Sequence, residues 1–132
     1  MHQPAKHGVI VYSDDIDKLA LFYTRMFNMQ VLKSSEQMYS LYADGLSIVI
    51  HEPPKPLPET RCNVVKLFTT VDSHADAHEL AQSLGGLSLE GQWANPFFSV
   101  TNITDCDGNI IQLRVFSQAG NATGSRKARP VR

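Results

Sequence analysis

Cysteines and long apolar runs are both scarce in this 132-residue sequence. Two cysteines, Cys62 and Cys106, are too few for a disulfide framework and lack the spacing of a zinc finger. No uninterrupted apolar run exceeds five residues, whereas a transmembrane helix needs about 20. Residues 1–7 are mostly polar and do not have the pattern of a signal peptide. These absences predict a reduced, cytoplasmic protein that does not span a membrane.

A strong charge of one sign is also missing. Twelve basic and 13 acidic side chains give a net charge of −1, which provides no field for holding nucleic acid or an anionic membrane. The charge is uneven, because residues 117–132 contain four basic residues and no acid. We expect this basic tail to be flexible, since it has little to bury. A nucleic-acid-binding arm is the alternative, but the tail has no aromatic residue and nucleic acid is not the favoured partner.

The first half of the chain has the pattern of a strand, a helix and three more strands. Residues 8–12 are β-branched and aromatic, which is typical of a half-buried strand. A helix should begin after Asp15 and end near Asn28, because apolar residues recur there with helical spacing. Three short strands are then predicted at residues 30–33, 37–43 and 46–51.

The second half repeats this order after a linker at residues 53–60, in which four prolines prevent a strand. A strand at 64–71 precedes a helix that begins after Asp72-Ser73 and ends at Gly85-Gly86. Three further strands are predicted at 87–90, 97–103 and 109–116. The sequence therefore predicts an α+β fold of two βαβββ modules, at 8–52 and 63–116, in one domain spanning 8–116. Neither module can bury both faces of its sheet alone, so we expect them to form a curved half-barrel around a central cavity.

Three segments resemble the vicinal oxygen chelate superfamily, which includes glyoxalase I, bleomycin resistance proteins and extradiol dioxygenases. Residues 105–113 (DCDGNIIQL) are similar to the signature Asp-Pro-Asp-Gly-Asn-x-Ile-Glu-Leu, with Cys106 replacing proline and Gln112 replacing glutamate. Residues 8–16 leading to Phe22-Tyr23, and Val71-Asp72-Ser73, match further segments in the same order. The resemblance implies a small-molecule cavity and a homodimer, with modules either closed within one chain or exchanged between chains.

Metal-dependent members of this superfamily hold a divalent ion with histidines on the first and fifth strands and a glutamate on the eighth. Some members add a glutamate on the fourth strand. The resemblance places Gly8, Lys66, Gln112 and Val49 at these positions. Glycine and valine offer no donor, an ammonium repels a cation, and a neutral amide is a poor ligand. The sequence therefore predicts no metal site and no cofactor.

Three histidines leave other metal sites open. A bulge in the first strand would turn His7 inward in place of Gly8. His74 and His78 are four residues apart on the second helix, as on a zinc-binding helix face. Since that helix should pack outside the sheet, we favour exposed polar residues as the interpretation of this pair.

Side-chain alternation along the strands predicts the lining of the cavity. If Gly8, Lys66 and Gln112 face inward, the lining is apolar with a few polar groups, including two cations and no carboxylate. Inward cations without acidic partners favour an anionic ligand. If this ligand is aromatic, it would stack against Phe68 or Trp93. The alternative is that Lys66 and Arg114 lie at the edge of the sheet with their charged groups in water. The predicted ligand-binding residues are Tyr12, His51, Lys66, Phe68, Trp93, Gln112 and Arg114.

Two of these residues carry additional predictions. Trp93 lies in a turn-rich segment, residues 91–96, that is expected to cap the mouth of the cavity, with a packing anchor as the alternative. His51 is the candidate general base, because its unperturbed pKa is near 6.5.

Three functions are compatible with this sequence. The first is a metal-free protein that binds a small anionic or aromatic molecule, similar to the drug-binding resistance proteins of the superfamily. The alternative is a glyoxalase-like lyase, isomerase or dioxygenase that uses a non-standard or metal-dependent site. A regulatory or structural dimer with a vestigial pocket also stays open.

Overall fold

The computed structural model describes residues 6–60 and 65–117, which form two modules with the same order of elements. The first contains β1 (Val9–Tyr12), α1 (Ile16–Phe27), β2 (Gln30–Ser34), β3 (Met38–Ala43) and β4 (Leu46–His51). The second contains β5 (Leu67–Thr70), α2 (His74–Ser83), β6 (Leu87–Ala94), β7 (Phe98–Thr104) and β8 (Ile110–Phe116). The predicted α+β class with two βαβββ modules is confirmed. Cys62 and the tail beyond Ser117 lie outside the described residues.

The two sheets share one topology. Sheet one has the strand order β1-β4-β3-β2, and sheet two has the order β5-β8-β7-β6. In each sheet the first and last strands of the module pair in parallel, and the remaining pairs are antiparallel. Neither helix of the described ranges is long and apolar enough to cross a membrane.

Local capping explains why both helices begin where the sequence predicts. The Asp15 side chain accepts a hydrogen bond from the backbone N–H of Lys18 at 3.1 Å, and α1 ends at Asn28 in the left-handed conformation. Ser73 caps α2 in the same way by accepting from the backbone N–H of Asp76 at 3.1 Å. Each cap satisfies a backbone donor that the first turn of a helix leaves unpaired.

Each sheet has one face covered by the helices and one face turned away from them, which we call the open face. Ile50 of β4 and Leu113 of β8 are fully buried in the core under the helices. On the open faces, Ile10 of β1 is 59% exposed and Phe68 of β5 is 57% exposed. Buried and exposed positions therefore alternate along these strands as predicted, and the lining of a ligand cavity by the exposed positions stays a prediction.

A buried hydrogen bond joins the modules. The Tyr23 hydroxyl of α1 donates to the Asp105 carboxylate at 2.9 Å, and Asp105 is only 1% exposed. The same carboxylate accepts from the backbone N–H groups of Asp107 and Asn109 and from the Asn109 side chain, at 2.8–2.9 Å. Burial raises the pKa of Asp105, and the hydrogen bonds from Asn109, Tyr23 and Asp107 oppose that rise. The turn that carries the family-like motif thus anchors module two to α1.

Cys106, which replaces the proline of the motif, packs in this junction. Its sulfur lies 3.7 Å from the carbonyl oxygen of Lys18. Burial raises the pKa of the Cys106 thiol to about 11, and the charges of Asp107 and Asp105 add to the rise. The thiol is therefore protonated at neutral pH and is not an activated nucleophile.

Two strands differ from their predicted bounds in ways that affect the site. Strand β5 begins at Leu67, so Val65 precedes it and is 74% exposed instead of packing beneath a helix. Strand β6 continues to Ala94, so the prediction that Trp93 lies in a loop is wrong. Gly91, with a φ of +110°, lies where the β6–β7 pairing shifts register, and this irregularity lets the strand continue beyond the glycine.

Candidate functional site

The seven predicted ligand-binding residues fall into two groups. Tyr12 and His51 are paired across β1 and β4 of sheet one. The other five residues belong to module two: Lys66, Phe68, Trp93, Gln112 and Arg114. Within the described residues, no hydrogen bond or ring contact joins one group to the other.

Arg114 is the centre of the group in module two. Its guanidinium carbon lies 3.7 Å from the centre of the Phe68 ring and 4.7 Å from the centre of the Phe98 ring. Because β8 lies between β5 and β7, an outward arginine on β8 meets an aromatic side chain from each neighbouring strand. Each cation–π contact contributes about 0.5–2 kcal/mol, depending on how far water is excluded.

The two cations of this face, Arg114 and Lys66, each donate a hydrogen bond to a side-chain amide oxygen. Arg114 donates from Nε to Oε1 of Gln112 at 2.8 Å, which fixes the direction of the guanidinium fork. Lys66 precedes β5, is exposed, and places its ammonium 3.5 Å from Oδ1 of Asn102. The expectation that Lys66 lies within the strand is therefore wrong, although its ammonium still reaches the open face.

Trp93 contributes to an aromatic surface beside Arg114. It pairs with Val100 of β7, is 58% exposed, and lies 6.3 Å from Phe98 between ring centres. Phe116 of β8 extends the surface, with its ring centre 5.2 Å from that of Phe98. A large exposed tryptophan at the end of a strand offers a stacking surface to a planar molecule.

His51 and Tyr12 line a separate small cavity in module one. It has a volume of about 360 Å³ and is also lined by Ile10 and by Glu52, a carboxylate absent from the predicted lining. His51 Nδ1 lies 2.8 Å from the backbone carbonyl oxygen of Glu52. Since a carbonyl can only accept, Nδ1 carries the proton, and Nε2 of the neutral ring is left as the basic nitrogen.

A larger cavity of about 550 Å³ lies between the modules. Lys66 and Phe68 line it on one side, and Phe27, Met29 and the acid Asp44 of module one line it on the other. Its volume is within the range of small-molecule sites, about 300–1,000 Å³. A ligand on the open face of sheet two can therefore extend into this cavity.

The residues at the superfamily's metal positions do not fit a metal ion. A β-carbon on Gly8 would lie 2.8 Å from the carbonyl oxygen of Ser47, so this backbone has no room for a ligating side chain there. Lys66 brings a positive charge, and Gln112 already accepts from Arg114. Among residues 6–60 and 65–117, no three His, Cys, Asp or Glu side chains are grouped as a metal site requires.

The remaining histidines do not restore such a site. His7 precedes β1, which pairs with β4 without a register shift, so the strand contains no bulge to turn His7 inward. His74 and His78 differ from the expectation of exposed residues, because both are half-buried between α2 and sheet two. The Thr101 hydroxyl lies 2.7 Å from Nδ1 of His74 and 2.8 Å from Nε2 of His78, and Ser99 and Ser88 contact the other ring nitrogens at 2.9 and 2.7 Å.

This network predicts a pH-dependent stability. Burial lowers the pKa of His78, and the charge of His74 adds to the effect. The unfolded chain, with a pKa near 6.5, therefore binds a proton more tightly than the folded protein. The stabilising contribution of neutral His78 is present above pH ~6.5 and is lost as the pH falls through the lowered pKa of the folded state.

We expect the urea midpoint of the wild type to fall more between pH 7.5 and pH 5 than that of His78→Gln, which keeps a polar side chain without the titration. Circular dichroism at the two pH values measures both midpoints. An equal fall of the urea midpoint in the two proteins would show that His78 does not cause the pH dependence of stability.

Phe98, Phe116 and Asn102 belong to the site but are not among the predicted residues. All three lie on the open face, since Phe98 pairs with Phe116 and Asn102 pairs with Gln112. Side-chain alternation could have found them, because positions 98, 100 and 102 share one face of β7. That face is the open one if Asn102 lies beside the inward-facing Gln112.

Comparison with known proteins identifies the fold. No protein-family model matches the sequence, and no curated protein matches it either. Among solved structures, the fosfomycin resistance protein FosX from Listeria monocytogenes, complexed with Mn(II) and sulfate, is similar with a TM-score of 0.69 at 15% identity, over 94% of this chain and 99% of that chain.

Two further structures agree. A glyoxalase/bleomycin resistance protein from Albidiferax ferrireducens T118 has a TM-score of 0.65 at 21% identity, over 82% of this chain and 95% of that one. A lactoylglutathione lyase from Agrobacterium tumefaciens has a TM-score of 0.60 at 16% identity, over 86% and 96%. The chain therefore shares its fold with these fosfomycin resistance, glyoxalase/bleomycin resistance and lactoylglutathione lyase structures, in agreement with the resemblance of its three sequence segments.

Proposed function

We propose that this protein binds a small anionic or aromatic molecule on the open face of sheet two, without a metal ion. The observation that supports this best is Arg114, whose guanidinium lies between two aromatic rings with Gln112 as its polar partner in the described part of the chain. A half-buried cation without an acidic partner favours an anion from outside.

The charges around Arg114 support the same proposal. The open-face positions of β5, β7 and β8 contain a cation but no carboxylate, and Lys66 adds a second cation from the segment before β5. The one acid lining the neighbouring cavity of about 550 Å³ in the described residues is Asp44 of module one, so a cationic drug would find no acidic partner on these three strands themselves. The aromatic side chains nearby provide the apolar surface that a small-molecule site requires.

We also propose a cytoplasmic homodimer as the form that binds the ligand. Large side chains are exposed on both open faces, including Ile10 at 59%, Tyr12 at 42% and Trp93 at 58%. A second copy of the chain would cover such surfaces and would help to exclude water from Arg114. The closed and module-exchanged arrangements both allow this covering.

Fluorescence of the single tryptophan, Trp93, tests the proposal. We expect aromatic carboxylates to change its emission in a saturable way, because Trp93 is exposed beside Phe98. Elemental analysis of the purified protein should find metal well below one equivalent. A flat response to aromatic and aliphatic acids, confirmed by an unchanged melting temperature, or one equivalent of bound metal, would overturn the proposal.

A lyase, isomerase or dioxygenase is the second candidate, and His51 favours it. The bond to the Glu52 carbonyl oxygen leaves Nε2 of His51 as a base that can accept a substrate proton. A small-molecule product that forms with the wild type and is lost with His51→Gln, while binding persists, would replace the binding function by catalysis.

A further inference from the structure

We propose that the ligand is a flat carboxylate, with an aromatic or conjugated body, and that the two Nη groups of Arg114 bind its two carboxylate oxygens. The inference rests on the proposed function and specifies the ligand class for the same face. It also gives Gln112 a role, which is to orient Arg114 without cancelling its charge.

The contacts of Arg114 leave one direction open. Phe68 and Phe98 pack against the guanidinium, whose carbon lies 3.7 and 4.7 Å from the two ring centres. Gln112 occupies the Nε–H at 2.8 Å. The remaining donors are the Nη groups, and among the described residues they have no hydrogen-bond partner. Two parallel N–H donors in one plane match the two oxygens of a carboxylate.

The neutral amide of Gln112 decides whether this fork attracts an anion. A glutamate at position 112, as in the superfamily signature, would accept the same Nε–H but would also form an ion pair with Arg114 two residues away. That pair would compete with any external carboxylate for the guanidinium charge. With glutamine, Oε1 orients the fork, the positive charge stays available, and the amide N–H₂ can donate to the same ligand.

The surroundings of the fork favour a flat body. Phe68 is 57% exposed although Arg114 packs against its ring, and Trp93 is 58% exposed at the end of β6. A planar group attached directly to the carboxylate lies close to the plane of the fork and can pack against these rings. A branched aliphatic chain would make fewer of these contacts.

Isothermal titration with 2-naphthoate and its neutral isostere 2-naphthamide tests the ligand class. We expect the acid to bind at least about tenfold more tightly than the amide, because only the acid forms the charged two-point contact. Hexanoate and inorganic phosphate should bind more weakly than naphthoate, since one lacks a flat body and the other lacks a planar pair of oxygens.

Variants of the fork test the mechanism. Gln112→Glu and Arg114→Lys should each weaken naphthoate binding by about tenfold or more, the first by neutralising the fork and the second by removing its second donor. Gln30→Glu and Arg25→Lys are the matched controls, because they make the same two substitutions at exposed positions of β2 and α1 in module one. Both controls should bind naphthoate as the wild type does.

The outcomes separate this inference from the proposed function. If naphthamide binds as tightly as naphthoate, or if both fork variants retain wild-type affinity, the protein binds small molecules but the carboxylate assignment is wrong. If neither compound nor any member of the wider acid panel binds, the proposed function itself fails. Thermal unfolding shows whether each variant folds. If Gln112→Glu does not fold, the affinity of Arg114→Lys alone tests the carboxylate assignment.

Discussion

Replacing Asp105 with alanine is expected to lower the free energy of unfolding by about 3–5 kcal/mol. The carboxylate is 1% exposed and accepts hydrogen bonds from Tyr23, from the backbone of Asp107, and from the backbone and side chain of Asn109. Alanine would leave these donors without their acceptor at a buried junction, and each such buried donor costs about 1–3 kcal/mol. The tie between α1 and module two would be lost as well.

Urea unfolding followed by circular dichroism measures this change, and Tyr23→Phe is the matched control. That variant removes one of the donors and keeps the ring, so we expect it to cost only about 1–2 kcal/mol. An Asp105→Ala variant no less stable than Tyr23→Phe would show that the turn at 105–109 does not depend on the carboxylate.

The helices and the module order could be predicted because their causes are local. Asp15 and Asn28 lie at the two ends of α1, and Ser73 begins α2. A capping side chain bonds to a backbone group two or three residues away, so its effect is visible in a short stretch of sequence. The apolar spacing between the caps then determines which helical face packs on the sheet.

The extent of β6 could not be predicted, because it depends on a distant partner. Gly91 and the residues that follow have the composition of a turn, and for that reason Trp93 was expected in a loop. In the structure, Trp93 pairs with Val100 and Ala94 pairs with Ser99, and these pairings extend the strand beyond the glycine. Propensity is a weak guide where cross-strand pairing supplies the stabilisation.

The site shows the same division between local and non-local information. Alternation predicted that Phe68, Gln112 and Arg114 share a face, and the pairing of Phe68 with Gln112 agrees with this. The stacking of Arg114 on Phe98 depends on the register between β7 and β8, which places Val100 opposite Arg114. That register is set by the length and geometry of the turn at residues 105–109, and the predicted bounds of the two strands did not fix these.

The half-buried positions of His74 and His78 have a similar origin. Their spacing on α2 was visible in the sequence, but their partners Ser88, Ser99 and Thr101 come from β6 and β7. An apolar stripe marks the centre of a helix–sheet contact, whereas polar residues beside it become buried only if the sheet offers hydroxyl groups at matching positions.

Gly86→Ala is expected to destabilise the protein by about 3 kcal/mol or more. A β-carbon at this position would lie 2.2 Å from the carbonyl oxygen of Thr104, 3.0 Å from Cε2 of Phe22 and 3.2 Å from the carbonyl oxygen of Ala81. Two of these atoms are backbone, so a side-chain rotation cannot relieve the contacts. The chain must shift, and the hydrogen bond from Gly86 N–H to the Ala81 carbonyl oxygen at 2.8 Å would be strained with it.

Gly85→Ala separates this close approach from the ordinary cost of losing a glycine. Gly85 has a φ of +94°, but its β-carbon would come no closer than 3.4 Å, to Cβ of Cys106. We therefore expect it to cost only about 1–2 kcal/mol, the strain of a left-handed residue with a side chain. Urea midpoints of the two variants give the comparison, and a Gly86→Ala variant as stable as Gly85→Ala would contradict the packing argument. If the difference is found, the contact between the end of α2 and β7 fixes the distance between helix and sheet, and β7 also carries Phe98 on its open face.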